Sequence, residues 1–180
     1  LAEQGFPVHL LECSEHLGGN LRKVHYTLND LDPQAYLRDL IERVEGDELI
    51  TVYRDAELVK ISGFVGNFSS LIRASGEEST VEHGVVIVAT GGQEYRGDEY
   101  LYGQDERVLT QQGFEQLVAN DPQSVAQAQN VVMILCVGPG TKYCSRICCA
   151  GAVKNALKIK QLNPGASVHV LHRDIRTYDF

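Results

Sequence analysis

No apolar run in the sequence reaches the roughly 18 residues that a membrane-spanning helix needs, so the chain is not expected to span a bilayer. Basic residues are in deficit. Lys and Arg number 16 against 24 Asp and Glu, and the formal net charge is −8. That balance argues against nucleic acid or an anionic membrane as the main partner. There is no basic-then-apolar leader of the secretory kind. The sequence does not begin with Met, and residues 1–5 read as the last turn of a helix closed by Gly5. A piece of a longer protein is therefore expected. The phosphate-binding fingerprint G-x-G-x-x-G is missing, and so is any C-x-x-C knuckle of the zinc or ferredoxin type.

What is present is sulfur in one place. Four of the five cysteines, Cys136, Cys144, Cys148 and Cys149, fall within the stretch C-V-G-P-G-T-K-Y-C-S-R-I-C-C. A disulfide framework would spread its cysteines over a small secreted domain, so a reducing, cytoplasmic setting fits better. Hydrophobic residues make up 43% of the chain, enough for a packed core. The apolar run at residues 131–135 reads as a buried parallel strand, and residues 150–162 read as a helix. The thiols thus occupy a strand-to-helix turn. In a dinucleotide-binding βαβ unit the phosphate loop lies at that turn.

Three readings of the thiols follow from the residues alone. Four thiolates suit an iron–sulfur cluster, and Lys142 and Arg146 would offset part of its negative charge. A redox dithiol of Cys144 with Cys148 or Cys149 is the second. In the third, Cys136 and one of the vicinal pair are core residues, since free cysteine buries well. Cys13 stands apart and reads as a bystander.

Elsewhere the order of elements is that of an α/β chain. Residues 8–12 form a short apolar strand ending in Glu12, where a Rossmann unit places the acid that binds a ribose hydroxyl. An ordinary strand ending in a solvated Glu is the alternative. Gly18 and Gly19 permit close backbone approach to a ligand. Asp32-Pro33 opens a helix with Leu37, Leu40, Ile41 and Val44 on one face. Between residues 50 and 88 the pattern turns to short strands with glycine turns at Gly63, Gly66 and Gly76, which suggests an antiparallel meander. Residues 83–92 (H-G-V-V-I-V-A-T-G-G) read as a buried strand ending in Ala89-Thr90-Gly91. Residues 93–107 read as a linker. Thr110 caps a helix that Asp121-Pro122 stops. A polar loop then leads to the cysteine unit, and residues 167–171 read as its second parallel strand.

Glu12, Gly18-Gly19 and the run from Thr80 to Ala89-Thr90-Gly91 fall in an order that resembles the FAD domain of thioredoxin-reductase-like flavoproteins. By that resemblance the backbone of Val59 touches the adenine. The run Y-C-S-R-I-C-C followed by A-V-K-N-A-L-K-I-K resembles the iron–sulfur flavoprotein of heterodisulfide reductase, its A subunit. So do D-P-Q-A-Y-L, G-F-V-G-N-F, H-G-V-V-I-V-A-T-G-G, E-Y-L-Y-G-Q-D-E-R-V and R-D-I-R-T-Y.

The resemblance implies an α/β, Rossmann-like FAD/NAD(P)-binding fold of the two-dinucleotide-domain type, truncated, with an inserted β-meander. Residues 1–103 would be part of the FAD domain, and residues 104–180 the start of a second, NAD(P)-like domain. It implies FAD held by Glu12, Gly18, Gly19, Asn20, Leu21, Arg22, Val59, Ala89, Thr90 and Gly91. It implies a [4Fe–4S] cluster on Cys136, Cys144, Cys148 and Cys149. It further implies a cytoplasmic oxidoreductase component, dimeric in the parent protein, passing electrons toward a disulfide and in some members bifurcating them. Its partners would be iron–sulfur subunits and ferredoxin, hydrogenase or dehydrogenase donors. The isolated piece is expected to be inactive. A pyridine-nucleotide flavoprotein disulfide reductase and a cofactor-free docking segment are the alternatives.

Overall fold

The computed structural model describes residues 1–29, 31–140 and 144–177. The chain forms two compact units. One comprises Leu1–Arg22 and Gln34–Gly92, the other Lys23–Pro33 and Gln93–Phe180.

The first unit opens on a single 3-10 turn, Ala2–Gln4, which Gly5 closes at a left-handed φ of 86°. β1 (Val8–Leu11) and β2 (Ile50–Tyr53) then lie parallel, Val8 opposite Ile50 and Leu11 opposite Tyr53. Between them in sequence runs α1 (Pro33–Gly46). Proline suits a first helical position because its fixed φ is helical and its missing N–H has no intrahelical partner there. The expected apolar face is the inward one: Leu37 is buried, and Leu40, Ile41 and Val44 are shielded to a lesser degree.

The meander follows as β3 (Ala56–Phe64), β4 (Asn67–Ala74) and β5 (Glu77–His83), all antiparallel. Its second turn, Ser75-Gly76, has φ of 51° and 86°, the two positive values of a tight hairpin turn. At Gly63 glycine is required: φ is 96°, and a Cβ would stand 2.1 Å from the Asn67 carbonyl oxygen. The pairing slips between Leu58 and Lys60, so Val59 sits at a bulge. Ser70 and Ile72 on β4 and Val81 on β5 are buried residues of this sheet. His83 Nε2 lies 2.7 Å from the Ser70 hydroxyl, which gives that buried polar group its partner.

Two expectations are corrected here. Residues 83–92 are not a strand beyond His83. Val85, Val86, Ile87 and Val88 stand 67%, 41%, 66% and 79% exposed. A parallel strand needs neighbours to take up its backbone groups, and the parallel sheet of this unit holds β1 and β2 alone among the described residues. Residues 50–53 belong to that parallel pair and not to the meander.

The second unit contains α2 (Gln111–Asn120), α3 (Pro122–Gln127), β6 (Asn130–Ile134), α4 (Cys148–Leu162) and β7 (Ser167–Leu171). Thr110 caps α2, its hydroxyl oxygen accepting from Gly113 N–H at 3.0 Å. Asp121 ends α2 and then caps α3 through Ser124 N–H. Most of the expected polar loop before β6 is therefore helix, because the Asp-Pro pair both stops one helix and starts the next.

β6 and β7 are parallel, Asn130 opposite Ser167 and Ile134 opposite Leu171, with α4 as the connecting helix. Their core joins Val118, Val125, Met133, Leu135, Cys149, Ala152, Ile159 and Ala166. Tyr26 enters this core from the segment before α1. Its hydroxyl donates to Asn155 Oδ1 at 2.7 Å, and Asn155 Nδ2 donates to Gln111 Oε1 at 2.6 Å. Lys154 Nζ meets Glu115 Oε1 at 2.6 Å, with both side chains largely shielded from water. No helix among the described residues is long and apolar enough to cross a membrane.

Candidate functional site

The sulfur site is built where β6 ends and α4 begins. Cys136 lies just past the strand with φ of 58°, a left-handed conformation that costs a residue with a Cβ about 1–2 kcal/mol. Arg146, also left-handed at φ 64°, precedes the helix. Strained backbone of this kind collects at ligand sites, where the surrounding structure holds it in place. Cys148 and Cys149 open α4. Their amides belong to the first turn, whose N–H groups and dipole favour negative charge.

The turn after β7 closes the other side. The thiols of Cys136 and Cys149 each lie 3.9 Å from the same acceptor, the Asp174 carbonyl oxygen. Arg176 N–H donates to Cys149 Sγ at 3.3 Å. Backbone hydrogen bonds from Arg173 and Asp174 hold the Cys136 thiol below its ordinary pKa. Burial pushes the Cys148 thiol up, as do the neighbouring sulfurs of Cys149 and Cys144. Arg176 Nε pairs with the Asp174 carboxylate at 2.6 Å, which keeps that carboxyl below its usual range.

The structure therefore gathers Cys136, Cys148 and Cys149 around the ends of β6, α4 and β7. Cys144 is exposed and adjoins Cys148 electrostatically. Cys149 is 2% exposed and packs in the core, so it serves the fold as well. Among the described residues no group of three or more Cys, His, Asp or Glu side chains has metal-holding spacing. Four thiols within one short stretch are donors of the kind iron–sulfur clusters use; as placed, their sulfurs do not form a metal-holding group. Enclosing a cluster would require the sulfurs of this turn to draw together. Arg146 is exposed beside Cys144, and Lys142 lies outside the described residues.

In the first unit, Glu12 stands at the carboxyl end of β1. Its Oε1 accepts from Ser14 N–H and Ser14 Oγ, both at 2.9 Å, and from the Cys13 thiol at 3.5 Å. Burial raises the Glu12 pKa, but the hydrogen bonds from Ser14 and Cys13 outweigh it and leave the carboxyl below its ordinary value. Cys13 thus has a role in fixing Glu12 that the sequence did not signal.

Gly18 and Gly19 have φ of 111° and 46° and lead into a 3-10 turn, Gly19–Lys23. Asn20 Nδ2 donates to the Gly92 carbonyl at 2.7 Å. That bond ties the glycine turn to the segment holding Ala89, Thr90 and Gly91, all exposed. Gln34 Nε2 donates to Leu21 O at 2.9 Å, and Arg22 Nη1 to Leu17 O at 3.3 Å. Val59 sits apart, at the β3 bulge. The carboxylate is thus fixed at a strand end, the position where a Rossmann unit places its ribose-binding acid, and two glycine-containing segments are joined to each other.

No family model matches the chain. The iron–sulfur A subunit (form 1) of CoB–CoM heterodisulfide reductase from Methanopyrus kandleri is 34% identical over 122 residues, 57% of this chain and 18% of the relative. The corresponding iron–sulfur A subunit from Methanocaldococcus jannaschii is 34% identical over 119 residues, with the same coverage of both. The A subunit of ferredoxin:CoB–CoM heterodisulfide reductase from Methanosarcina mazei is 32% identical over 117 residues, 56% of this chain and 15% of the relative. Among solved structures, L-proline dehydrogenase from P. horikoshii superposes with a TM-score of 0.50 at 14% identity, covering 99% of this chain and 33% of its own. That likeness bears on the fold alone and agrees with an α/β, Rossmann-like architecture. Over 57% of its length the chain is thus similar to heterodisulfide reductase A subunits, and it spans about 18% of the length of these relatives.

Proposed function

We propose that this chain is the flavin- and cluster-bearing part of an electron-transfer subunit in a heterodisulfide-reductase-type oxidoreductase. The observation that carries the reading is the replacement of a phosphate loop by thiols at the β6–α4 turn. A strand-to-helix turn that binds nucleotide presents glycine and backbone amides; this one carries Cys136 and Cys149, both on the Asp174 carbonyl, and Cys148, which interacts with Cys149 and Cys144.

In this reading Cys136, Cys144, Cys148 and Cys149 hold a [4Fe–4S] cluster, which supplies one-electron chemistry when bound. Glu12 orients the adenosine ribose of FAD. The turn at Gly18, Gly19, Asn20, Leu21 and Arg22 and the segment Ala89, Thr90, Gly91 line the cofactor, and Val59 flanks the adenine. The protein contributes binding and spacing. The names of the relatives support a multi-subunit setting, in which iron–sulfur subunits and ferredoxin- or hydrogenase-type donors are the partners and a disulfide is the acceptor. Electron bifurcation at the flavin and a cytoplasmic location complete the proposal.

The visible spectrum of anaerobically purified protein tests it. Broad iron–sulfur charge-transfer absorption is expected, bleached by dithionite. Flavin bands alone would instead favour a pyridine-nucleotide reductase, and a colourless protein would leave a docking segment.

A further inference from the structure

We propose that the cleft between residues 26–28 and the second half of α4 binds a small organic phosphate, a monoester on a short apolar body. Both walls belong to the second unit. The site uses none of the residues assigned to a cofactor above. Its volume is about 250 Å³, below the range of about 300–1,000 Å³ typical of drug-sized sites, so its ligand is compact. Its floor is the Tyr26 ring, 8% exposed. Two ammonium groups converge on that ring, Lys154 Nζ at 4.9 Å and Lys158 Nζ at 5.2 Å from the centroid. Each is attracted to the ring face, but the two repel each other. Glu115 offsets Lys154 alone. A third ammonium lining the cleft, that of Lys160, is held by the carbonyl oxygens of Pro164 at 2.5 Å and Ala166 at 2.8 Å, which carry no full charge.

Among the described residues neither Lys158 nor Lys160 has a carboxylate at ion-pair distance. The cleft therefore keeps two uncompensated positive charges, in a chain whose net charge is −8. A phosphate monoester carries close to two negative charges at neutral pH and three acceptor oxygens, so one such group balances both lysines. A monocarboxylate balances one. Neutral donors add to the match. Thr27 Oγ1 accepts from Leu31 N–H at 3.0 Å, which leaves its own hydroxyl proton for a ligand oxygen. The Gln161 side chain lines the same space. Leu28 and Leu157, 46% and 51% exposed, form an apolar rim that an organic body would cover.

Titration calorimetry of the full chain at low salt and neutral pH tests the site with phenyl phosphate, inorganic phosphate and benzoate. Phenyl phosphate is expected to bind at least about fivefold more tightly than the other two, because it alone joins a doubly charged group to an apolar body. Lys158→Gln is expected to weaken it about tenfold or more, while Lys60→Gln, exposed on β3, leaves it unchanged. Amide resonances of the wild-type chain locate the ligand without any variant, and shifts on adding phenyl phosphate are expected at residues 26–28 and 154–161. No binding of phenyl phosphate, shifts confined to other residues, or wild-type affinity in a folded Lys158→Gln protein would overturn the site. Inorganic phosphate binding as tightly as phenyl phosphate would overturn the organic ester and leave an adventitious ion only. Benzoate binding as tightly would overturn the choice of phosphate.

Discussion

Replacing Cys149 and Cys144 one at a time separates the two duties that sulfur has in this chain. Cys149 is buried in the α4 core and accepts Arg176 N–H. Cys144 is exposed. In Cys149→Ala the lost burial is about that of one methylene, roughly 0.8 kcal/mol. The orphaned Arg176 N–H adds about 1–3 kcal/mol. The sum is a destabilisation of about 2–4 kcal/mol, which for a chain of this length lowers the melting temperature by roughly 5–15 °C. Cys144→Ala removes nothing that packs, so it is expected to stay within about 0.5 kcal/mol of wild type. The assay is urea or thermal unfolding of cluster-free protein, followed by iron content after anaerobic reconstitution. Both variants are expected to lose the cluster, and only Cys149→Ala to lose stability. Full iron retention in Cys144→Ala would refute its assignment as a ligand. Wild-type stability in Cys149→Ala would refute the packing argument.

Three further outcomes follow from particular contacts. Lys154→Met leaves Glu115 buried without its ion-pair partner, holding only the His25 N–H, and is expected to cost about 3–5 kcal/mol, whereas the double change to Lys154→Met and Glu115→Gln, which removes the unpaired charge, is expected to recover most of it; denaturant midpoints decide. Gly63→Ala forces a Cβ toward the Asn67 carbonyl at a φ of 96°, so loss of the meander's strand signal in circular dichroism and poor expression are expected, while Gly46→Ala, with open space at its Cβ, is expected to behave as wild type. The Glu12 carboxyl has a lowered pKa in the folded chain, so its stabilising effect is present above the unfolded value of 4.5 and is lost as pH falls through the folded value. Glu12→Gln is accordingly expected to flatten that acid limb of a stability–pH curve; an unchanged limb would show that Ser14 and Cys13 do not fix the carboxylate.

Periodicity carried most of the fold. Leu37, Leu40, Ile41 and Val44 marked α1, Thr110 and Asp121-Pro122 bounded α2, and the apolar run before Cys136 was β6. Glycines at positions 63, 66 and 76 punctuated the meander. What the pattern could not show was long-range pairing. Residues 85–88 are as apolar as β6, yet a run becomes a strand only when a neighbour accepts its hydrogen bonds. Residues 50–53 looked like the first strand of the meander because alternation does not reveal which sheet a strand joins. Of the site, Cys136, Cys148 and Cys149 were legible from their density at one turn. The Asp174 carbonyl and Arg176 amide at the thiols were not, because backbone groups leave no residue-type signature; the Cys13–Ser14 brace on Glu12 was not, because composition does not reveal which way neighbouring side chains turn.

The account turns on whether four cysteine sulfurs at the β6–α4 turn enclose iron. Iron and acid-labile sulfide, quantified per chain in anaerobically reconstituted protein, measure this most directly. About four of each, bound stably through desalting, is the expected result for a [4Fe–4S] site. Iron-free protein with all five thiols still titratable would contradict it.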